Sequence, residues 1–138
     1  MSDSSPSKHQ GAFWIDQIVR DPDSVSKFYA EVAGLTREGV PEDDVHTSYA
    51  MKNDAGQEVL GICDEAVFSN WVQGWVPYIE IADFEQRVAK IDLSGGTIVQ
   101  RMQMDYNWKG QRFCLARDPS GAPVMLCEAK SSTGGATL

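Results

Sequence analysis

The sequence is poor in the residues that most often hold metals or staple small folds. It has two histidines, His9 and His46, and neither lies in a recognisable chemical motif. Its three cysteines, Cys63, Cys114 and Cys127, are an odd number at wide spacing with no C-x-x-C pair, which excludes a disulfide framework and a zinc ribbon. They read as small hydrophobes, with Cys127 the best candidate for a thiol in a ligand pocket. Basic residues are also scarce: 12 Lys and Arg against 20 Asp and Glu give a net charge of −8. That balance argues against a nucleic-acid binder that neutralises phosphates and against a polybasic membrane helix. No run approaches the roughly 18 apolar residues of a membrane span, and the first residues lack a signal peptide's apolar segment. The expectation is a soluble, cytoplasmic protein.

What is present suits one domain: 138 residues, 42% of them hydrophobic. Residues 1–10 and 131–138 are small and polar and read as tails around a single domain over 11–130. Within it, FWIDQIV from Phe13 to Val19 reads as a strand. Asp21 follows as an N-cap with Pro22 at the first helical position, and Val25, Phe28, Tyr29 and Val32 recur at helical spacing up to Gly34. The same grammar returns from Trp75. WVPYIEI is a strand, Asp83 an N-cap with Gln86 in the capping-box position, and Phe84, Val88 and Ile91 a helix face ended by Gly95-Gly96. Each half closes on two strands joined by a turn with Asn or Asp first and Gly fourth: Asn53 to Gly56, then Asp118 to Gly121. Short strands near Thr36–Gly39 and Thr97–Arg101 complete two β-α-β-β-β repeats over 11–64 and 74–130.

Two copies suggest an α+β fold: tandem βαβββ modules forming one curved mixed sheet around a cavity, with helices outside. Strand alternation assigns the faces. Ile15, Val19, Val59, Gly61, Pro77, Ile79, Ile81, Val124 and Leu126 would lie under the helices. Trp14, Asp16, Ile18, Glu58, Leu60, Ile62, Val76, Tyr78, Glu80, Met125 and Cys127 would line the cavity, a mixed surface suited to a ligand.

In the order and spacing of Asp21-Pro22 with Phe28-Tyr29 and Gly34-Leu35, of the strand-Asp83-helix-Gly95-Gly96 stretch, and of Asp118-Pro119-Ser120-Gly121-Ala122, the chain resembles the vicinal oxygen chelate superfamily. That group includes glyoxalases, bleomycin-resistance proteins and extradiol dioxygenases, and the likeness spans about residues 11–129. It implies metal-ligand slots at the start of each module's first strand and four residues past each turn glycine. Here they hold Trp14, Leu60, Val76 and Met125. None offers the nitrogen or oxygen donor of an imidazole–carboxylate metal site, so neither a metal nor another cofactor is expected.

The leading expectation is a metal-independent, glyoxalase-like protein that binds a small organic molecule in the cavity between its modules, lined by Trp14, Leu60, Val76, Tyr78 and Met125. Trp14 and Tyr78 would either stack on a flat ligand or simply fill the space. The alternative is a cofactor-free lyase or isomerase with Glu80 or Asp16 as its base; a metal-dependent enzyme stands behind both. A hard cation among Asp16, Glu58 and Glu80, or pairing of these acids with Arg101 or Arg112, is a further reading. Trp71 and Trp75 read as packing or dimer contacts, Tyr106 to Gly110 as a lid or a surface turn, and Val40 to His46 as a solvated loop. The resemblance also implies a homodimer.

Overall fold

The computed structural model describes residues 11–68, 72–103 and 110–129. Both expected tails, Trp71 and the stretch from Tyr106 to Lys109 lie outside them. The chain divides into two compact units, one from Trp14 to Val76, the other joining residues up to Phe13 with those from Pro77.

The first unit contains β1 (Ala12–Val19, its first two residues grouped with the second unit), α1 (Pro22–Ala33), β2 (Thr36–Pro41), β3 (Thr47–Lys52), β4 (Glu58–Asp64) and a single turn, α2 (Glu65–Phe68). Helix α1 begins where the sequence places it. The Asp21 carboxylate accepts from the Ser24 amide at 3.3 Å, Pro22 fills the first position, and Gly34 ends the helix at φ 72°. Its strands run in the order β2-β3-β4-β1, with β1 parallel to β4 and the other pairs antiparallel.

The second unit repeats this wiring with β5 (Gly74–Ile81, its first three residues grouped with the first unit), α3 (Phe84–Val88), a 3₁₀ turn at Asp92–Ser94, β6 (Thr97–Gln103), β7 (Arg112–Arg117) and β8 (Pro123–Glu128). Its order is β5-β8-β7-β6, again with only the first pair parallel. The α+β class and the tandem βαβββ order are therefore as the sequence predicts. Among the described residues, no helix is long and apolar enough to cross a membrane.

Several local expectations need correction. The first is the face of β4. Lys52 pairs with Glu58, yet Met51 pairs with Leu60, so Val59 is an extra residue that bulges out of the ladder. Beyond the bulge, alternation runs one residue out of step with the count from Gly56. Asp16 is the partner of Gly61, and Gln17 of Ile62. Gly61 and Cys63 thus share the face of Trp14, Asp16 and Ile18, while Leu60 and Ile62 lie on the helix side with Met51 and Tyr49.

The second correction concerns α1. Of its expected apolar stripe, Phe28 is 53% and Val32 67% exposed, and the buried positions are Pro22 and Ser26. The helix is rolled so that Ser26, with no exposure, meets the sheet. Its hydroxyl donates to the Asp23 carbonyl and accepts from Arg37, which satisfies a buried polar group. Arg37 also pairs with Asp23 at 2.8 Å and lies over the Tyr49 ring.

The third is α3, which spans only Phe84–Val88. Asp83 has a left-handed backbone at φ 53° and makes no side-chain cap, because a capping carboxylate reaches the helix amides from an extended backbone. Phe84 and Val88 still pack with Cys114 as the core beneath it, flanked by Ile81, Ile91, Ile98 and Leu126.

The two hairpin turns match their sequence signature. Asn53 Oδ1 accepts from the Ala55 and Gln57 amides, and Asp118 Oδ1 from those of Ser120 and Ala122. Gly56 and Gly121 supply the positive φ. The supposed loop from Val40 is strand up to Pro41. Its remainder is tied by Asp43, whose Oδ1 accepts from the Val45 and His46 amides.

Candidate functional site

In each unit the first strand carries a buried carboxylate on the face away from the helix. In the first unit this is Asp16, 7% exposed. Trp14 stands two residues earlier on the same face, and its indole Nε1 donates to Asp16 Oδ1 at 2.7 Å. Gly61 lies directly opposite. A Cβ there would fall on Asp16 Oδ1 and stand 3.5 Å from Trp14 Cζ2, so the absent side chain is what lets the carboxylate lie over β4. Cys63 follows on the same face. Burial, chiefly, and the nearby Asp16 carboxylate push its thiol up, so it stays protonated. Val76, also within this unit, is fully buried.

In the second unit Glu80, 7% exposed, lies opposite Cys127, and Tyr78 opposite Met125. Phe113 and Leu115, the β7 partners of Cys127 and Met125, complete an almost inaccessible face. The Tyr78 ring meets Phe13 and Phe113 edge to face, at centroid distances of 6.4 and 6.0 Å. The Glu80 amide donates to the Gly11 carbonyl at 3.0 Å. Burial, followed by the charge of Glu80, pushes the Cys127 thiol up, and its Sγ donates weakly to the Met125 carbonyl. As a thiol in a site, Cys127 is therefore an inert one.

Of the predicted site residues, Trp14 and Asp16 are brought together, as are Tyr78, Glu80 and Met125. Leu60 is not, since the bulge at Val59 turns it to the helix side. Gly61 takes the register position that Met125 holds in the second unit. The metal slots implied by the resemblance thus hold Trp14, Gly61, Val76 and Met125, and an indole N–H, a glycine, a valine and a buried thioether do not fit a hard or borderline divalent ion. Glu58 is exposed and paired in register with Lys52. Among the described residues, no three His, Cys, Asp or Glu side chains group closely enough to hold a metal.

Sequence reasoning missed one feature. A cavity of about 340 Å³ opens beside the end of β5, lined by residues 81–86 with Arg112, Glu128 and Ala129. Arg112 lies over the Phe84 ring at 5.0 Å, grips Glu128 through Nε and Nη2, and also bonds Glu85. Arg101 joins Glu85 from the other side at 2.9 Å. These arginines therefore hold Glu85 and Glu128, acids that the sequence reading left aside. The signal was available once the hairpin is centred on Ser120: Arg112 and Glu128 stand equally far from it, and the register places them opposite each other on β7 and β8. A smaller apolar hollow of about 170 Å³ lies between Ile91, Gly96, Pro119, Val124 and Leu126.

No protein-family profile matches the sequence, and no curated protein does. Solved structures do match in fold. A glyoxalase/bleomycin resistance protein/dioxygenase superfamily member from Vibrio splendidus 12B01 superposes with a TM-score of 0.56 at 17% identity, covering 83% of this chain and 95% of that one. A hypothetical protein from Bacillus halodurans C-125 gives a TM-score of 0.57 at 14% identity, covering 87% and 94%. A Streptomyces coelicolor methylmalonyl-CoA epimerase variant in complex with 2-nitronate-propionyl-CoA gives 0.56 at 17% identity, covering 90% and 100%. The chain has the vicinal oxygen chelate fold.

Proposed function

We propose that this chain binds a small organic molecule without a metal, using the carboxylate-bearing sheet faces of its two units. Trp14 and Asp16 of the first unit, and Val76, Tyr78, Glu80 and Met125 along β5 and β8, are the residues assigned to it. The observation that carries this reading is the buried, donor-anchored Asp16 carboxylate. Burying a charge costs several kcal/mol unless it is paired, and an apolar residue would fill a purely structural position at lower cost. The similar structures that hold coenzyme A derivatives lend support, because the same wiring accommodates a small organic ligand there.

The experiment is a thermal-shift screen of the full chain against aromatic metabolites, 2-oxo compounds, antibiotics and acyl-coenzyme A thioesters. Stabilisation by one class, lost in Trp14→Ala, is expected. A flat response across all classes, or a shift that Trp14→Ala leaves intact, overturns the assignment.

A second reading has its own support. Asp16 and Glu80 are both carboxylates held out of water, and several of the similar structures are methylmalonyl-CoA epimerases. In it the chain is a cofactor-free isomerase or lyase, with Glu80 or Asp16 removing a proton from carbon and returning it. Turnover of a bound ligand abolished by Glu80→Gln or Asp16→Asn supports catalysis, whereas tight binding with no product supports sequestration. A homodimer in the cytoplasm completes the proposal, and a monomer by light scattering removes the first of these.

A further inference from the structure

We propose that Trp14 is a positioning residue, whose indole N–H holds the Asp16 carboxylate as an acceptor for ligands that present an organic N–H or O–H donor. This rests on the small-molecule reading above. Three observations converge on it.

The indole nitrogen can only donate, and a carboxylate in its ionised form can only accept. Their 2.7 Å hydrogen bond joins residues two apart on one strand face, so it fixes the rotamer of both. Trp14 is therefore more than a wall of the site. Gly61 is the second observation: it is the one residue type at that register position that leaves room for Asp16 Oδ1. The third is the internal repeat. In the second unit the place of Asp16 in the β1–β4 register is taken by Tyr78, opposite Met125, and the same wiring closes with no acid there. The topology consequently does not require Asp16. Cys63 stays a protonated thiol beside it and so adds no charge next to the carboxylate.

An acceptor-only group selects its ligands by chemistry. A phenol or an amidine satisfies it, whereas a ligand carboxylate meets like charge. The test uses the full chain labelled with ¹⁵N, with the Trp14 indole signal identified by its loss in Trp14→Phe. Without any ligand, Asp16→Asn should displace that signal and speed its exchange with water. If Asp16→Asn fails to fold, acidification of the wild type should move the same signal along a single carboxylate titration. A signal that neither change displaces overturns the positioning role.

Phenol and benzamidine are then titrated as donor probes, with benzoate as the acceptor control of similar size. Both donors should shift the Trp14 indole, and Trp14→Phe should weaken them by about tenfold, the loss expected for one hydrogen bond to a charged group. An equal response to benzoate overturns the donor selectivity. If no probe shifts any signal although Asp16→Asn does, the small-molecule reading falls and takes the ligand claim with it. If probes bind but leave the indole unmoved, the positioning role alone is overturned.

Discussion

Gly61 and Asp16 face each other across the parallel pair β1–β4, and any side chain at position 61 would occupy the place of Asp16 Oδ1. Gly61→Ala should therefore destabilise by about 1–3 kcal/mol, the range for forcing extra atoms into a packed site. Urea unfolding checks this through a lower midpoint at unchanged slope. Pairing Gly61→Ala with Asp16→Ala should recover part of the loss, because the clash needs both residues. An unchanged midpoint in the single variant would mean that the carboxylate does not lie over β4.

That relationship also marks where the sequence stopped being readable. Strand-turn-helix grammar, the Asp21 cap, Gly34 and the two Gly-terminated turns are local, and each formed as its residues dictate. Their order alone conveyed the fold. The face of β4 was not local: the bulge at Val59 depends on how β3 pairs, and one extra residue exchanged Leu60 for Gly61 on the site face. Trp14 and Asp16 survived because β1 has no such irregularity. The Arg112 cluster stayed hidden for another reason. Its acids come from α3 and the end of β8, and only the close of the second unit brings them to one arginine.

The roll of α1 makes a second prediction. Helical spacing alone puts Phe28 in the core, but it is 53% exposed, against 1% for Phe113. Phe28→Ala should cost well under about 1 kcal/mol, as surface changes do. Phe113→Ala should cost about 3–5 kcal/mol by leaving a cavity beside Tyr78 and Cys127. Parallel denaturant curves decide the matter, and equal losses would refute the roll.

The cysteines offer a chemical check. Burial pushes all three thiols up, and carboxylates add to it at Cys63 and Cys127. A thiol-disulfide reagent acts on the thiolate, so the folded chain at pH 8 should react slowly at every cysteine. All three should react promptly in urea. Rapid labelling of Cys127 under native conditions would mean that the face it shares with Glu80 is open to water.

The loop before β3 should respond to pH. The Asp43 carboxylate bonds His46 Nδ1 at 2.9 Å and raises the imidazole above its ordinary range, while the Val45 amide and then His46 hold Asp43 below its own. For His46 the folded state binds the proton more tightly, so its contribution is full below the unfolded value and is lost as pH rises through the folded one. For Asp43 the sign is opposite, and its share is lost on acidification. The pair therefore steadies the loop only between the two transitions. NMR titration should place His46 above its midpoint in Asp43→Asn, and a common midpoint would dismiss the pairing.

Arg112 supports the last prediction. Its hydrogen bonds to Glu128, the largest influence on that carboxylate, outweigh partial burial and hold Glu128 below the usual carboxylate range. A depressed acid contributes stability that is fully present above its unfolded value and disappears as pH falls through its folded one. Arg112→Gln removes the partner and also strips a cation from the Phe84 ring and from Glu85. Both ion pairs are substantially exposed, so solvent and salt screen them and the loss at neutral pH should be modest. The variant should be less stable than the wild type at pH 7, and the gap should narrow steadily below about pH 4.5, the ordinary glutamate value. Raising the salt concentration at pH 7 should narrow it as well. Urea midpoints of both proteins from pH 7 to pH 3 test this, and a gap that stays constant with pH would show that Arg112 acts through packing on Phe84 rather than through Glu128.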